Sequence, residues 1–351
     1  MLTFSHPEKK TPTIPVVPVF MPFAGCEVRC VFCSQTAQTG MGERSLAVIL
    51  QELDENLLQR EKKGQSPVEI AFYGGTFTAL PQKSQMDCLA LAQKWRLRGM
   101  VERVRCSTRP DRMDASIARF LHDEGVTLVE LGVQSFSATA LLESRRHYTE
   151  ECIIDACDAV HETGLELGIQ LMPGLPGGSV AISEVDIQKT IAQRPHCVRL
   201  YPCLVFAQTP LAKLWAERKY HPLSLEDTVP LLASACLDFW EHDIRVIRMG
   251  VAPEPTALQN LLAGHFHPSL GNMVRGLALF TFISRKLNEY GGAYPKKTPP
   301  ASFRLHVPSR YQGDFCGFKG SLREGYAKLK IEEVVFHEAP HFSLEEIGES
   351  Q

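Results

Sequence analysis

From about residue 14 to residue 205 the chain alternates short apolar runs with longer stretches of helical period. The runs Ile14–Met21, Val68–Tyr73, Val101–Ser107, Thr127–Val133, Leu165–Met172 and Cys197–Val205 read as strands. Between them Ser45–Lys62, Lys83–Leu97, Asp114–Glu124, Thr149–Thr163 and Ile182–Gln193 read as helices. In the first helix Leu46, Ile49, Leu50, Leu53, Leu57 and Leu58 form a stripe at 3.6 spacing, with Glu52, Asp54 and Glu55 mostly off it. Near-continuous apolar strands are those covered on both faces, which implies a parallel sheet. Strand–helix units in series suggest a barrel or an open α/β sheet. In either, sites assemble at the carboxyl ends of the strands. Past Val205 the pattern loosens. Pro210–Arg218, Glu226–His242 and Met273–Leu287 read as helices, Arg245–Val251 as a strand, and residues 291–300 as a Gly/Pro-rich break.

The length of 351 residues allows roughly two domains, or one barrel with an appendage. With 44% hydrophobic and 22% charged residues, disordered, collagen-like and coiled-coil readings are set aside. A net charge of −3 removes the case for a protein that coats nucleic acid throughout, though a local basic face stays open. No apolar run approaches the roughly 18 residues of a membrane span, and residues 1–7 do not read as a secretory signal. The expectation is a cytoplasmic protein without membrane contact. Eleven cysteines are too sparse for a disulfide scaffold. Cys88, Cys106, Cys152, Cys157, Cys197, Cys203, Cys236 and Cys316 are scattered, mostly in apolar patterns that suit small core residues. The other three crowd together.

They form Cys26-x3-Cys30-x2-Cys33, directly after the first strand. Three thiolates this close can converge on a soft metal centre. Structural zinc takes four ligands, and no fourth Cys or His lies near. Three suit a 4Fe–4S cluster with one iron open, and Phe32 between the last two would shield it. Tyr73-Gly74-Gly75-Thr76 ends the second strand, where two glycines let backbone approach a ligand closely. Ser107-Thr108-Arg109-Pro110-Asp111, Leu131-Gly132-Val133-Gln134-Ser135, Arg146-His147-Tyr148-Thr149, Leu171-Met172-Pro173-Gly174-Leu175-Pro176 and Leu200-Tyr201-Pro202 follow in order near strand ends.

With these motifs the sequence resembles the radical S-adenosylmethionine (SAM) superfamily. Over roughly residues 14–250 it is similar to the radical domain of the Elongator catalytic subunit and, more distantly, to oxygen-independent coproporphyrinogen III oxidase. The resemblance implies a partial (β/α)6 TIM-type barrel over residues 1–250, with residues 251–351 as a smaller C-terminal extension. It implies a 4Fe–4S cluster on Cys26, Cys30 and Cys33, and SAM cleaved on that cluster by an electron from a flavodoxin- or ferredoxin-type donor. Tyr73, Gly74, Gly75 and Thr76 would meet the methionine amino group, and Gln134, Arg146 and Gln170 the ribose or methionyl carboxylate. Tyr201 joins the expected cofactor lining. The chemistry agrees, because an arginine fork binds carboxylates and glutamine amides suit hydroxyls. The plainer readings are a surface charge for Arg146 and a satisfied core amide for Gln134.

Two departures stand out. Ser107 occupies the place of a ribose-binding glutamate, so that contact is lost or water-bridged. The Elongator subunit also carries an acetyltransferase domain, and about 100 residues after Val251, without a phosphate-cradling glycine run, are not expected to supply one. A radical SAM enzyme is the leading expectation, with a non-catalytic iron–sulfur or zinc module and an RNA-binding scaffold as alternatives. For substrate, tRNA is favoured by kinship and by residues 294–330, where eight Lys or Arg face two acids and Phe303, Tyr311, Phe315 and Phe318 could stack on bases. The same aromatics could be a subdomain core, and a small metabolite, a tetrapyrrole or a peptide remains the alternative substrate. Arg109 and Asp111 either orient substrate or pair with each other.

Overall fold

A computed structural model describes residues 2–9, 14–40, 42, 44–252, 254–293 and 302–347. The expected strands are present as Val16–Phe20, Val68–Tyr73, Val101–Thr108, Leu128–Gln134, Glu166–Leu171 and Cys197–Leu200. Each pairs in parallel with the next in chain order. With Arg245–Met249 the sheet counts seven strands, one more than the six of the expected barrel, and curls into a half-barrel. Helices Leu46–Lys62, Gln82–Leu97, Ala115–Asp123, Glu150–Glu162 and Val180–Ala192 alternate with the strands. Four of these starts are set by side chains. Ser45, Asp114, Thr149 and Ser179 accept from the amides of Val48, Ile117, Cys152 and Ile182, which would otherwise be orphaned.

The strands are not apolar on both faces, as their reading had it. Ile70, Phe72, Val104, Cys106, Val129, Leu131, Ile169 and Val198 are buried on one face. The alternate positions carry Glu69, Tyr73, Arg103, Arg105, Glu130, Glu166 and Arg199, since side chains switch face at every residue. These polar groups pair with one another. Glu130 accepts from Tyr73 at 3.0 Å and from Arg105 and Arg199 at 3.1 Å, Arg105 also reaches Glu69, and Arg103 donates to Glu166 at 3.0 Å. Burial works against the Arg199 charge, but Glu130, Tyr201 and Tyr73 together outweigh it and the pKa is raised. Polar residues thus fill the interior, because each charge there has its counter-charge.

The strand expected at Cys197–Val205 is shorter, Cys197–Leu200. Pro202 has no amide to give the ladder, and the chain leaves the sheet after Leu200. Val205–Phe206 pairs instead, antiparallel, with Leu261–Ala263.

The chain forms two compact units, the larger of Lys10–Leu223 with Val251–His265, the smaller of Met1–Lys9, Ser224–Gly250 and Phe266–Gln351. The smaller holds helices Leu225–Glu241 and Leu270–Ala293 and a sheet ordered Leu2–Phe4, Phe342–Ile347, Ser302–Pro308, Ile331–His337. None of those four strands is visible in the sequence pattern. Phe303, Tyr311 and Phe315 are buried, and Phe315 stacks on Tyr326 with centroids 4.1 Å apart. They are subdomain core, which corrects the base-stacking option for these three. Of the basic stretch, Arg304 pairs with Glu333 at 2.7 Å and Lys328 with Glu324 at 3.0 Å, while residues 294–301, with Lys296 and Lys297, lie outside the described residues. Among the described residues no helix is long and apolar enough to cross a membrane.

Candidate active site

The cysteine loop begins one residue past the first strand. Met21 donates to the Tyr73 carbonyl at 2.8 Å, and left-handed conformations at Phe23 and Gly25 then fold the chain back on itself. The loop lies directly on the Gly-Gly segment. Thr76 donates to the Ala24 carbonyl at 2.8 Å, Cys26 Sγ is 3.4 Å from Thr76 Oγ1, and a Cβ on Gly75 would fall 1.9 Å from Ala24 O. The close approach these glycines permit is therefore to the chain's own cysteine loop, in addition to any ligand. Gln35 completes the clamp, accepting from the Phe23 amide at 2.6 Å and donating to the Gly74 carbonyl.

Cys30 is buried, and Cys26 and Cys33 are half-buried. Burial first, and then the neighbouring Cys30 and Cys26, push the Cys33 thiol up to about 12. The mutual influence marks the three sulfurs as neighbours. Among the described residues, however, no three His, Cys, Asp or Glu side chains are placed to share one metal ion. In donor chemistry, three thiols on one loop are the set a 4Fe–4S cluster would take, whereas structural zinc takes four ligands. Phe32 is buried with Val31, Leu175, Val205 and Leu211 in an apolar cluster that includes Cys30 and touches Cys33.

The other expected residues gather on the polar face near the strand ends. Gln170 donates its amide to Gln134 Oε1 at 2.9 Å, and Gln134 itself has φ of 69° at an irregularity in the strand. Arg199 donates to Tyr201 at 3.0 Å and also to Tyr73. Burial and then Glu130 raise the Tyr73 pKa, so its hydroxyl stays protonated. Ser107 is half-buried, paired in register with Glu130. Arg146 is 5% exposed, which overturns the surface-charge reading. It donates to Tyr148 at 2.5 Å, to Cys30 Sγ at 3.1 Å and to the Gly132 carbonyl.

Arg109 and Asp111 pair with each other through two bonds of 2.8 Å. The sequence reading missed Gln35, Tyr148, Glu130 and Arg199 as parts of the site. Tyr148 stood within a quoted motif, and the strand-interior charges Glu130 and Arg199 were signals in themselves. Nothing about Gln35 marks it. A groove of about 660 Å³ along residues 110–117 and 152–162 is lined by Asp111, Asp114, Asp155, Asp158 and Glu162 and contains none of the three loop cysteines.

Comparison with known proteins follows the same residues. The family description "Radical SAM superfamily" matches residues 20–181 and "Radical_SAM C-terminal domain" residues 195–277. A tRNA uridine(34) acetyltransferase of Methanocaldococcus jannaschii is 27% identical over 215 residues, 54% of this chain and 40% of that protein. Elongator complex protein 3 of Homo sapiens is 28% identical over 265 residues, 62% of this chain and 47% of its own length. The chain thus spans less than half the length of these curated relatives. An archaeal Elp3 from Methanocaldococcus infernus, solved with an N-terminal deletion, superposes with TM-score 0.59 at 22% identity, covering 78% of this chain and 64% of that one.

Proposed function

The chain belongs to the radical SAM superfamily through both matched regions and is an enzyme, and from that premise we propose that it is a tRNA-modifying one that holds a 4Fe–4S cluster on Cys26, Cys30 and Cys33 and binds SAM at the adjoining strand ends. The observation that carries this reading is the seating of three neighbouring thiols on the Gly74-Gly75 segment, at the end of a parallel half-barrel. Bound there, the cluster would supply the electron that cleaves SAM to methionine and a 5′-deoxyadenosyl radical, replenished by a flavodoxin- or ferredoxin-type donor.

The chain's own part is placement and exclusion of water. Gly75 and Gln35 fix the loop's height above the sheet. Tyr73, Gln134, Gln170 and Tyr201 present hydroxyls and amides along one polar face, suited to an amino group and ribose hydroxyls. The network of Glu69 and Glu130 with Arg105 and Arg199 sets two negative against two positive charges and leaves that face little net charge. Ser107 leaves a ribose without a carboxylate partner at that position, so Gln134 and Gln170 carry more of its recognition.

The tRNA substrate rests on what the relatives are named for. A small-molecule substrate is the second reading, favoured by the burial of Phe303, Tyr311 and Phe315 and the pairing of Arg304 and Lys328, which reduce the nucleic-acid footprint of the C-terminal stretch. Anaerobic reconstitution should give about four irons per chain, and reductant should then release 5′-deoxyadenosine from SAM, with Cys30→Ala inactive. A mobility-shift titration of cellular tRNA should be salt-sensitive, with a log–log slope of roughly −0.7 per single-strand phosphate contact. Iron-loaded protein that binds no tRNA at low salt would move the substrate to the second reading.

A further inference from the structure

Arg146 is a cation in an expensive place. It is 5% exposed, and among the described residues it forms no ion pair with a carboxylate. A buried guanidinium needs negative charge nearby, and Asp111, which acts on it through space, accepts both its hydrogen bonds from Arg109. Its three bonds lead to Tyr148 Oη at 2.5 Å, the Gly132 carbonyl, and Cys30 Sγ at 3.1 Å. Of these only the sulfur becomes an anion on binding iron. An arginine guanidinium keeps its charge throughout the accessible pH range.

The placement is built rather than incidental. Arg145 has φ of 57°, a left-handed turn just past helix Ala138–Glu143, and the next amide, that of Arg146, donates to the Leu141 carbonyl at 2.9 Å. The turn sends the following side chain inward. Tyr148, which receives the Arg146 Nε–H, is itself pinned by donating to the Gly132 and Val133 carbonyls at 3.1 Å each. The cysteine loop is tied to the same segment, with the Val31 amide donating to the Ser144 carbonyl at 3.3 Å. The guanidinium is thus held from two sides with one fork arm on the thiolate ligand.

We propose that Arg146 is a positioning residue that sets the potential of the cluster: its Nη1–H orients the Cys30 thiolate, and its charge stabilises the reduced, more negative cluster, raising the reduction potential. The inference rests on the cluster reading above and deepens it. Hydrogen bonds and charge at ligand sulfurs are among the levers by which a protein tunes such centres. The remaining two of the five guanidinium N–H groups stay free for a cofactor carboxylate, so the two roles coexist on one side chain.

The test is a reductive titration of reconstituted protein followed by EPR, in the absence of SAM, so that a carboxylate contact cannot contribute. Arg146→Gln should bind iron as the wild type does and show a midpoint displaced to more negative potential. Arg146→Lys, which keeps the charge and loses the fork, should fall between. A Gln variant with full iron and an unchanged midpoint overturns the proposal. Should that variant hold no iron, Tyr148→Phe decides. It frees the guanidinium Nε without removing the charge and should give a smaller negative displacement, whereas an unchanged midpoint again overturns the proposal. A wild-type protein that takes up no iron overturns the cluster reading itself, and this inference with it.

Discussion

Gly75→Ala is the smallest perturbation that reaches the cysteine loop. The added Cβ would lie 1.9 Å from Ala24 O, 2.8 Å from its carbonyl carbon and 2.9 Å from its nitrogen, all backbone atoms. Non-bonded heavy atoms settle at roughly 3.5 Å, so the peptide of residue 24 must retreat by about 1.5 Å. That retreat breaks the 2.8 Å bond from the Thr76 amide to the Ala24 carbonyl and drags Cys26, two residues on. A lost backbone hydrogen bond is worth ~1 kcal/mol and overpacking ~1–3, giving about 2–4 kcal/mol in all. Urea unfolding of the iron-free protein reads the stability term. Iron and sulfide per chain after reconstitution read the loop displacement, and both should fall. Gly271→Ala is the control, since a Cβ there meets nothing within 4 Å and the helix setting makes it neutral or slightly stabilising. An alanine variant with wild-type urea midpoint and full iron would refute the argument that Gly75 is glycine because of the loop above it.

Asp186 accepts from Ser135 Oγ at 2.7 Å and the Phe136 amide at 2.8 Å, yet burial raises its pKa to about 6. The folded protein then binds this proton more tightly than the unfolded chain, so stability falls as pH rises from about 4 to about 6, by up to ~3 kcal/mol, and levels above. Denaturant melts across that range should be flatter for Asp186→Asn. Glu130→Ala leaves Arg199 without its carboxylate and Arg105 with Glu69 alone, and should cost about 3–5 kcal/mol, read by the same melts. Replacing Cys26 or Cys33 by alanine should abolish iron binding, while Cys106→Ala, at a side chain buried in the sheet, should leave iron per chain unchanged.

The parallel strands were legible because their buried faces put Val, Ile and Leu at every second place with few breaks, and the turn glycines between them are explicit. What filled the other face was less so. Glu69, Arg105 and Glu130 sit inside runs dominated by apolar neighbours, and only the partners supplied by adjacent strands make their burial tolerable. The C-terminal sheet escaped for a different reason. Leu2–Phe4 is three residues long, and Ile331–His337 is an edge strand with five successive exposed residues, Glu332 to Phe336, so it has no alternation to read. In the site, the cysteine spacing was plain from local sequence. Arg146 was not, because its bond to Cys30 joins positions 116 residues apart and no local pattern reports that kind of contact.

The pairing of Leu2–Phe4 with Phe342–Leu344 has a consequence for synthesis. The larger unit ends at His265 and has all its strands once that residue has been made. The smaller unit contains Leu2–Phe4 and waits for its partner strand Phe342–Ile347. At roughly 5–20 residues per second, Phe4 meets its neighbour Phe342 only after some 20–70 s of translation. Through that interval the N-terminal strand is an unpaired edge, open to chaperones, proteases and other nascent chains. A slower ribosome over the codons of residues 266–344 should therefore lower the yield of the smaller unit before it affects the larger.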